Sequence, residues 1–326
     1  MKRKWIGILC LILCVCSFSG CTINDHQVFF SGGTGFKNVF RIGDLKCPDK
    51  EVKLYLATYR NLYGTVGDTE IWGGDFQTDT IYDSLKKSVV SHLTRVYALN
   101  IYAEENEISL SDKEVSFVEN AAEEFYSGLS KADRKALKLS KSDIEEYYLR
   151  YALAEKVYFD LMNQVDNEVS EDEARVMDAY VLYTTKEDTA VYVEQALNSG
   201  QPFATLLNMY GTGDKGLRSI PRGTMPQEVE KVIFQLEDGQ VSGMITAEDG
   251  YYFVSCVSKY NAELSESNKA NVVAKRKAQV IADIVALQNE NYYSELNEEL
   301  LNKTEVANTV ETKNFFTVLD SYISYK

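Results

Sequence analysis

No stretch of the chain restricts the fold as much as Val176 to Ser258. It opens on Val176-Met177-Asp178-Ala179-Tyr180-Val181-Leu182 and closes on Gly250-Tyr251-Tyr252-Phe253-Val254, two apolar-rich runs of strand type. Between them lie a helix ending at Gly200-Gln201-Pro202-Phe203-Ala204, a glycine-rich loop at Gly213-Asp214-Lys215-Gly216, and a turn at Arg222-Gly223-Thr224-Met225. A short helix leads to Phe234-Gln235-Leu236 and a second turn, Glu237-Asp238-Gly239-Gln240-Val241-Ser242. The order is strand, helix, loop, short helix, strand. The rest of the chain reads as a body built around it.

The N-terminus is not read as part of the fold. Met1-Lys2-Arg3-Lys4 is a basic start, and Trp5 to Phe18 is an apolar run of signal-peptide length, short for a membrane span. It ends in Phe18-Ser19-Gly20-Cys21, which resembles a bacterial lipobox with Phe where Leu is usual. Residues 1–20 are therefore expected to be a lipoprotein signal peptide and Cys21 the lipidation site; a plain signal peptide or an uncleaved anchor is the alternative. Several acyl chains on Cys21 would hold the protein stably on a membrane. Residues 21–44 read as a glycine-rich tether, with a short strand at Val39-Phe40-Arg41-Ile42-Gly43.

Charge and residue inventory exclude several classes of function. Removal of the three positive charges in the signal takes the net charge from −15 to −18. That argues against a nucleic-acid partner and against docking on anionic lipid. His26 and His92 are the only histidines, which leaves too few for a His-based metal centre or a His-containing triad. Cys47 and Cys256 are the thiols left beyond the signal and Cys21, too few for a disulfide framework; Cys256 reads as a core residue. There is no Walker loop, GxSxG, CxxC or HExxH. No metal and no cofactor is expected.

Residues 45–168 form a run of amphipathic helices. Glu51 to Tyr63 carries Val52, Leu54, Tyr55, Leu56 and Tyr59. Asp83 to Asn106 carries Leu85, Val89, Leu93, Val96 and Ala103, with His92 beside that stripe as a structural or surface residue. Ser111-Asp112-Lys113-Glu114 is a capping box for a helix through Phe117, Ala121 and Phe125. Ser130 starts a short turn, and Ser140 caps a helix to about Asn163. Ser170-Glu171-Asp172-Glu173 is a further box. The many tyrosines either fill helix interfaces or line a groove for unfolded peptide, with the first reading favoured. Lys269 to Asn302 reads as one long helix. Val306–Val310 and Phe315–Leu319 read as strands or a docked segment.

The landmarks of 176–258 resemble, in order and spacing, a parvulin-type peptidyl-prolyl isomerase domain. Helices before it and a return helix after it resemble the layout of PrsA/SurA-type extracytoplasmic foldases, over about residues 45–303. The resemblance implies an α+β fold: a SurA-N-like helical module, an inserted parvulin-like domain at 169–262 with a four-stranded antiparallel sheet, and a return helix and tail at 263–326. It also implies unfolded or secreted polypeptides as partners, bound in a groove between module and domain. The lipoprotein signal implies a lipid anchor on the outer face of a bacterial cytoplasmic membrane.

The X–Pro amide must be twisted across a barrier of about 18–20 kcal/mol. Parvulins are expected to do this with two histidines, a nearby Cys or Asp, and a Met and a Phe gripping the proline ring. Carried over by motif, the histidine positions hold Tyr180 and Tyr252. The loop that bears the acid is shortened before Gly213, and Asp214 matches a structural position. Lys215 replaces a pocket Leu. Met225 matches the proline-contacting Met, Val229 stands where Phe is usual, and Phe234 matches a core aromatic. The peptide-binding set implied by the resemblance is Tyr180, Lys215, Met225, Val229, Phe234 and Tyr252.

Three readings follow. The first is a foldase or holdase whose isomerase domain is weak or inactive. The second is an active isomerase using Tyr180 and Tyr252 as a hydroxyl pair. The third is an assembly lipoprotein with one dedicated partner.

Overall fold

The computed structural model describes residues 31–32, 37–62, 65–66, 69–70, 78–307 and 310–325. Cys21 and the expected signal peptide lie outside them. In chain order the strands and helices are β1 (Ser31–Gly32), β2 (Asn38–Ile42), β3 (Leu45–Pro48), α1 (Asp49–Leu62), β4 (Thr65–Val66), β5 (Thr69–Glu70), α2 (Thr78–Glu105), α3 (Asp112–Gly128), α4 (Lys131–Leu137) and α5 (Lys141–Gln164). Then come α6 (Glu171–Ala174), β6 (Val176–Thr184), α7 (Glu187–Asn198), α8 (Phe203–Tyr210), β7 (Arg218–Pro221), α9 (Gln227–Ile233), β8 (Ile245–Ala247) and β9 (Gly250–Ser258). The chain closes with α10 (Ala262–Asn291), β10 (Ser294–Leu296), α11 (Glu298–Lys303) and α12 (Phe315–Asp320).

Contacts divide the chain into two compact units. One comprises the chain up to Gln164 together with Lys277–Lys326; the other is Val165–Arg276. The second unit extends into α10 beyond the expected limit at 262. Side chains of that helix hold the entry to β6: Ser265 Oγ accepts from the Val176 amide at 2.9 Å, and Asn268 Nδ2 donates to the Ala174 carbonyl at 3.1 Å. Arg276 donates to the carbonyls of Asp166 and Glu168, both at 2.8 Å, and pairs with Glu173.

In the first unit the apolar stripes form helices that meet along their buried faces. Val52, Leu54, Tyr55, Leu56 and Tyr59 of α1 are buried, as are Val89, Leu93, Val96 and Ala103 of α2. Ser111 opens α3 with both halves of a capping box in place. The tyrosines Tyr55, Tyr97, Tyr147, Tyr148 and Tyr151 all lie in the core, so these rings fill interfaces.

The return segment is not one helix to Asn302. α10 stops at Asn291, and β10 pairs antiparallel with β2, Ser294 opposite Ile42 and Leu296 opposite Phe40. Gly43 makes room for the crossing: its φ is +57°, and a Cβ there would lie 2.9 Å from the Tyr292 ring. Asn297 then caps α11 by accepting from the Leu300 amide. Phe315–Asp320 is a helix rather than a strand, because Asn314 accepts from the amides of Phe316 and Thr317.

The second unit is α+β. Its sheet runs β7-β6-β9-β8 with every pairing antiparallel. One face packs Met177, Ala179, Val181, Val254 and Cys256 against Val229 and Ile233 of α9. The other packs Leu182 and Phe253 against α7 and α8 through Ala190, Val193, Leu206 and Leu207. Cys47 and Cys256 are buried free thiols.

Candidate functional site

The register of β6 against β9 decides the geometry of the site. From Ala179 to Thr184 the two strands pair without a break, with Tyr183 opposite Tyr252 and Tyr180 opposite Ser255. Successive side chains of a strand point to opposite faces. Tyr180 therefore lies on the opposite face from Tyr252, and 37% of its surface is exposed. The hydroxyl pair of Tyr180 and Tyr252 does not form. The residue beside Tyr252 is Tyr183, with ring centroids 4.9 Å apart.

Asp249 ties these two rings together. The Tyr252 hydroxyl donates to its carboxylate at 2.6 Å, and the Tyr183 hydroxyl donates to its carbonyl at 2.6 Å. Burial, followed by the bond to Asp249, pushes the Tyr252 hydroxyl well above the usual tyrosine range. It is therefore neutral at physiological pH, and its proton is already committed. Gly250 makes the arrangement possible: its φ is +149°, and a Cβ would meet the Thr184 carbonyl and the Tyr183 ring, both at 2.8 Å. Sequence reasoning missed Tyr183 and Asp249. A signal was present in Asp249-Gly250, an acid and an obligatory glycine directly before the closing strand.

Around this centre, Met225 is half-buried against the same core face. It is positioned by Glu230, a third residue the sequence did not announce. One Glu230 carboxylate oxygen accepts from the amides of Gly223, Thr224 and Met225 at 2.6, 2.8 and 3.0 Å. Three charge-assisted bonds on one oxygen fix the turn that carries Met225.

The other expected peptide contacts do not gather around Met225 and Tyr252. Val229 is fully buried on the inner face of α9 and presents no wall to a ligand. Phe234 is 3% exposed, with the guanidinium of Arg222 4.6 Å from its ring centroid and that of Arg175 5.5 Å away. Its edge borders a shallow cavity of about 350 Å³ lined by Arg222, Gln227, Glu230, Lys231, Phe234 and Gln235, which includes neither Met225 nor Tyr252. Lys215 is drawn to the end of α8, donating to the Asn208 carbonyl at 2.7 Å. The short loop before it is pinned by Thr212, whose amide and hydroxyl both donate to the Tyr183 carbonyl. Among the described residues no group of His, Cys, Asp and Glu is placed to hold a metal ion.

Residues 185–258 match the PPIC-type peptidyl-prolyl isomerase, or rotamase, domain family. The second unit carries a parvulin-type rotamase domain. Over 78% of its length the chain is similar to the foldase protein PrsA of Caldanaerobacter subterraneus subsp. tengcongensis, with 26% identity across 82% of that protein. It is also similar to foldase protein PrsA 4 of Bacillus cereus, with 28% identity over 37% of this chain and 43% of that one. A crystal structure of PrsA from Bacillus cereus aligns with 79% of this chain and 99% of that one, at 17% identity and a TM-score of 0.41, too loose to add to the fold described above.

Proposed function

We propose that the chain is a membrane-tethered foldase that holds unfolded or extended segments of secreted proteins, and that its rotamase domain is weak or inactive in prolyl isomerisation. The observation that carries this reading is the Tyr252–Asp249–Tyr183 centre. A catalyst must offer polar groups to the twisted amide more strongly than to the planar one. Here both hydroxyl protons are spent on Asp249, and the position expected to wall the proline pocket, Val229, is closed. The fold is kept while its polar centre is turned inward, which fits binding better than catalysis.

The tether is part of the proposal. Acylation of Cys21 would place the body on the outer face of a cytoplasmic membrane. Among the described residues no helix is long and apolar enough to cross one.

The test is suppression of aggregation of a permanently unfolded polypeptide that lacks proline. The full chain at stoichiometric amounts is expected to suppress it. Failure to do so, alongside a single dominant protein recovered in pull-downs, would favour the dedicated-partner reading instead.

A further inference from the structure

The small sheet of the helical unit runs β1-β10-β2-β3. Its two faces differ. β10 is antiparallel to β2, with Ser294 opposite Ile42, Glu295 opposite Arg41 and Leu296 opposite Phe40. Side chains alternate between faces along a strand. Ser294 and Leu296 therefore share the face of Ile42 and Phe40, which are buried. Glu295 and Arg41 lie on the other face, where Arg41 Nε donates to the Glu295 carboxylate at 3.1 Å. The Arg41 guanidinium also stands 4.7 Å from the centroid of the Tyr293 ring, so Tyr293 belongs to that second face. The Gly43 amide donates to the Tyr293 carbonyl at 2.9 Å, which fixes the backbone there. The ring itself is 58% exposed.

β1 is the edge of this sheet and is two residues long. It runs parallel to β10, with Ser31 opposite Glu295 and Gly32 opposite Leu296. The chain enters β1 through Val28-Phe29-Phe30, which lie outside the described residues. Counted back in the same register, Phe30 falls opposite Ser294 and Phe29 opposite Tyr293. A strand edge beside an exposed ring is a template for further pairing. The sequence at this point is suited to it. Asn24-Asp25-His26-Gln27 is polar, as a solvated tether would be, and then three apolar residues follow, two of them aromatic. Rings in a solvated tether gain nothing, whereas rings paired across neighbouring strands stabilise both.

We propose that Phe29 and Phe30 continue β1 along β10, with Phe29 seated on the Tyr293 ring and Phe30 on the face of Ile42, and that this docking shortens the tether. The occupant of the ring is the chain's own segment because β1 already delivers it to that edge in the matching register. Docking leaves residues 22–28 between Cys21 and the body. Fully extended, that stretch lets Cys21 reach about 27 Å from Phe29, against about 58 Å for a chain held only from Asn38 onward. Where Cys21 carries lipid, the helical unit is therefore kept close to the membrane surface. That consequence rests on the tethered-foldase reading; the docking itself does not.

The test is cross-linking in the full chain as exported. Phe29→Cys with Tyr293→Cys is expected to form a disulfide within one chain under mild oxidation. It should form at least tenfold faster than in Val28→Cys with Tyr293→Cys, whose first member falls on the other face. Phe29→Cys alone supplies the background, since Cys47 and Cys256 are buried. Equal rates for positions 28 and 29 would overturn the proposal. So would a bond that joins two chains, read as a doubled mass, which would give the ring to a second copy. Because Phe29→Cys removes a ring, a second measurement leaves both phenylalanines in place. Chymotrypsin should cut after Phe29 and Phe30 at least tenfold faster in Tyr293→Ser than in wild type, and the same rate in both would overturn the docking. Neither readout uses the lipid. The mass of the Cys21 peptide decides the anchor separately, so the two can fail independently.

Discussion

The two units both bury tyrosines, but by different means. In the helical unit the rings are covered by a segment brought from far along the chain, and the polar groups beside them address its backbone. In the rotamase unit Tyr183 and Tyr252 are covered by their own strands and bonded to Asp249, which lies three residues before Tyr252. The first kind of burial rests on contacts between distant parts of the chain, the second on two paired strands and the turn between β8 and β9.

Breaking the helical side should give the largest effect. Glu51 is buried, paired with Arg150 at 2.7 Å and hydrogen-bonded by Tyr97 at 2.6 Å. Glu51→Ala removes the buried half of the pair and leaves Arg150 only the exposed Glu146, at 2.6 Å, which costs about 3 kcal/mol. Denaturant unfolding is expected to show that loss in the helical unit only, with the rotamase unit's transition unmoved.

On the rotamase side, Gly250→Ala places a methyl group against the Thr184 carbonyl and the Tyr183 ring at a backbone angle that disfavours side chains. A loss of about 1–3 kcal/mol is expected. Adding Tyr183→Ala should recover part of it, because one of the two clashes disappears, and a double-mutant cycle measures that part.

Acid and base both act on the helical unit. His92 lies buried beside Tyr59, and burial, followed by the charge of Arg95, lowers its pKa to about 3. The unfolded chain then binds a proton there that the folded one refuses. Stability falls as pH drops from about 6.5 toward 3, by at most about 1.4 kcal/mol per pH unit. Glu155 acts in the opposite sense. Burial, then the charge of Asp320, raises its pKa to about 8, so the folded state holds the extra proton and stability falls as pH rises from 4.5 toward 8. His92→Gln should flatten the acid limb of the stability profile and Glu155→Gln the other. Thermal melts of the two variants across pH 3–9 check both.

Glu230→Gln gives the smallest global effect, about 1–2 kcal/mol, because the turn it holds is exposed. Its mark should be local, as faster amide exchange at Gly223, Thr224 and Met225.

The contrast also explains what could be read before the structure. Stripes such as Val52, Leu54, Tyr55, Leu56 and Tyr59, and the box at Ser111 and Glu114, depend on neighbours within a few residues, and they led directly to α1 and α3. The rotamase sheet was legible for the same reason, through its glycines and strand patterns. The site was not, because the pairing register of β6 with β9, a contact some 70 residues apart, sets Tyr183 rather than Tyr180 opposite Tyr252. The end of α10 was missed because β10 is made by pairing with β2, some 250 residues earlier in the chain. The role of Phe315 and Phe316 was missed because their partners lie on helices 164 to 261 positions away.

The most direct measurement for the central claim is the rate of X–Pro isomerisation in a tetrapeptide with the full chain as catalyst. A centre whose hydroxyl protons are held by Asp249 should leave the rate close to that of the uncatalysed reaction, while aggregation of an unfolded client is still suppressed. A second-order rate in the range of an ordinary parvulin would contradict the account.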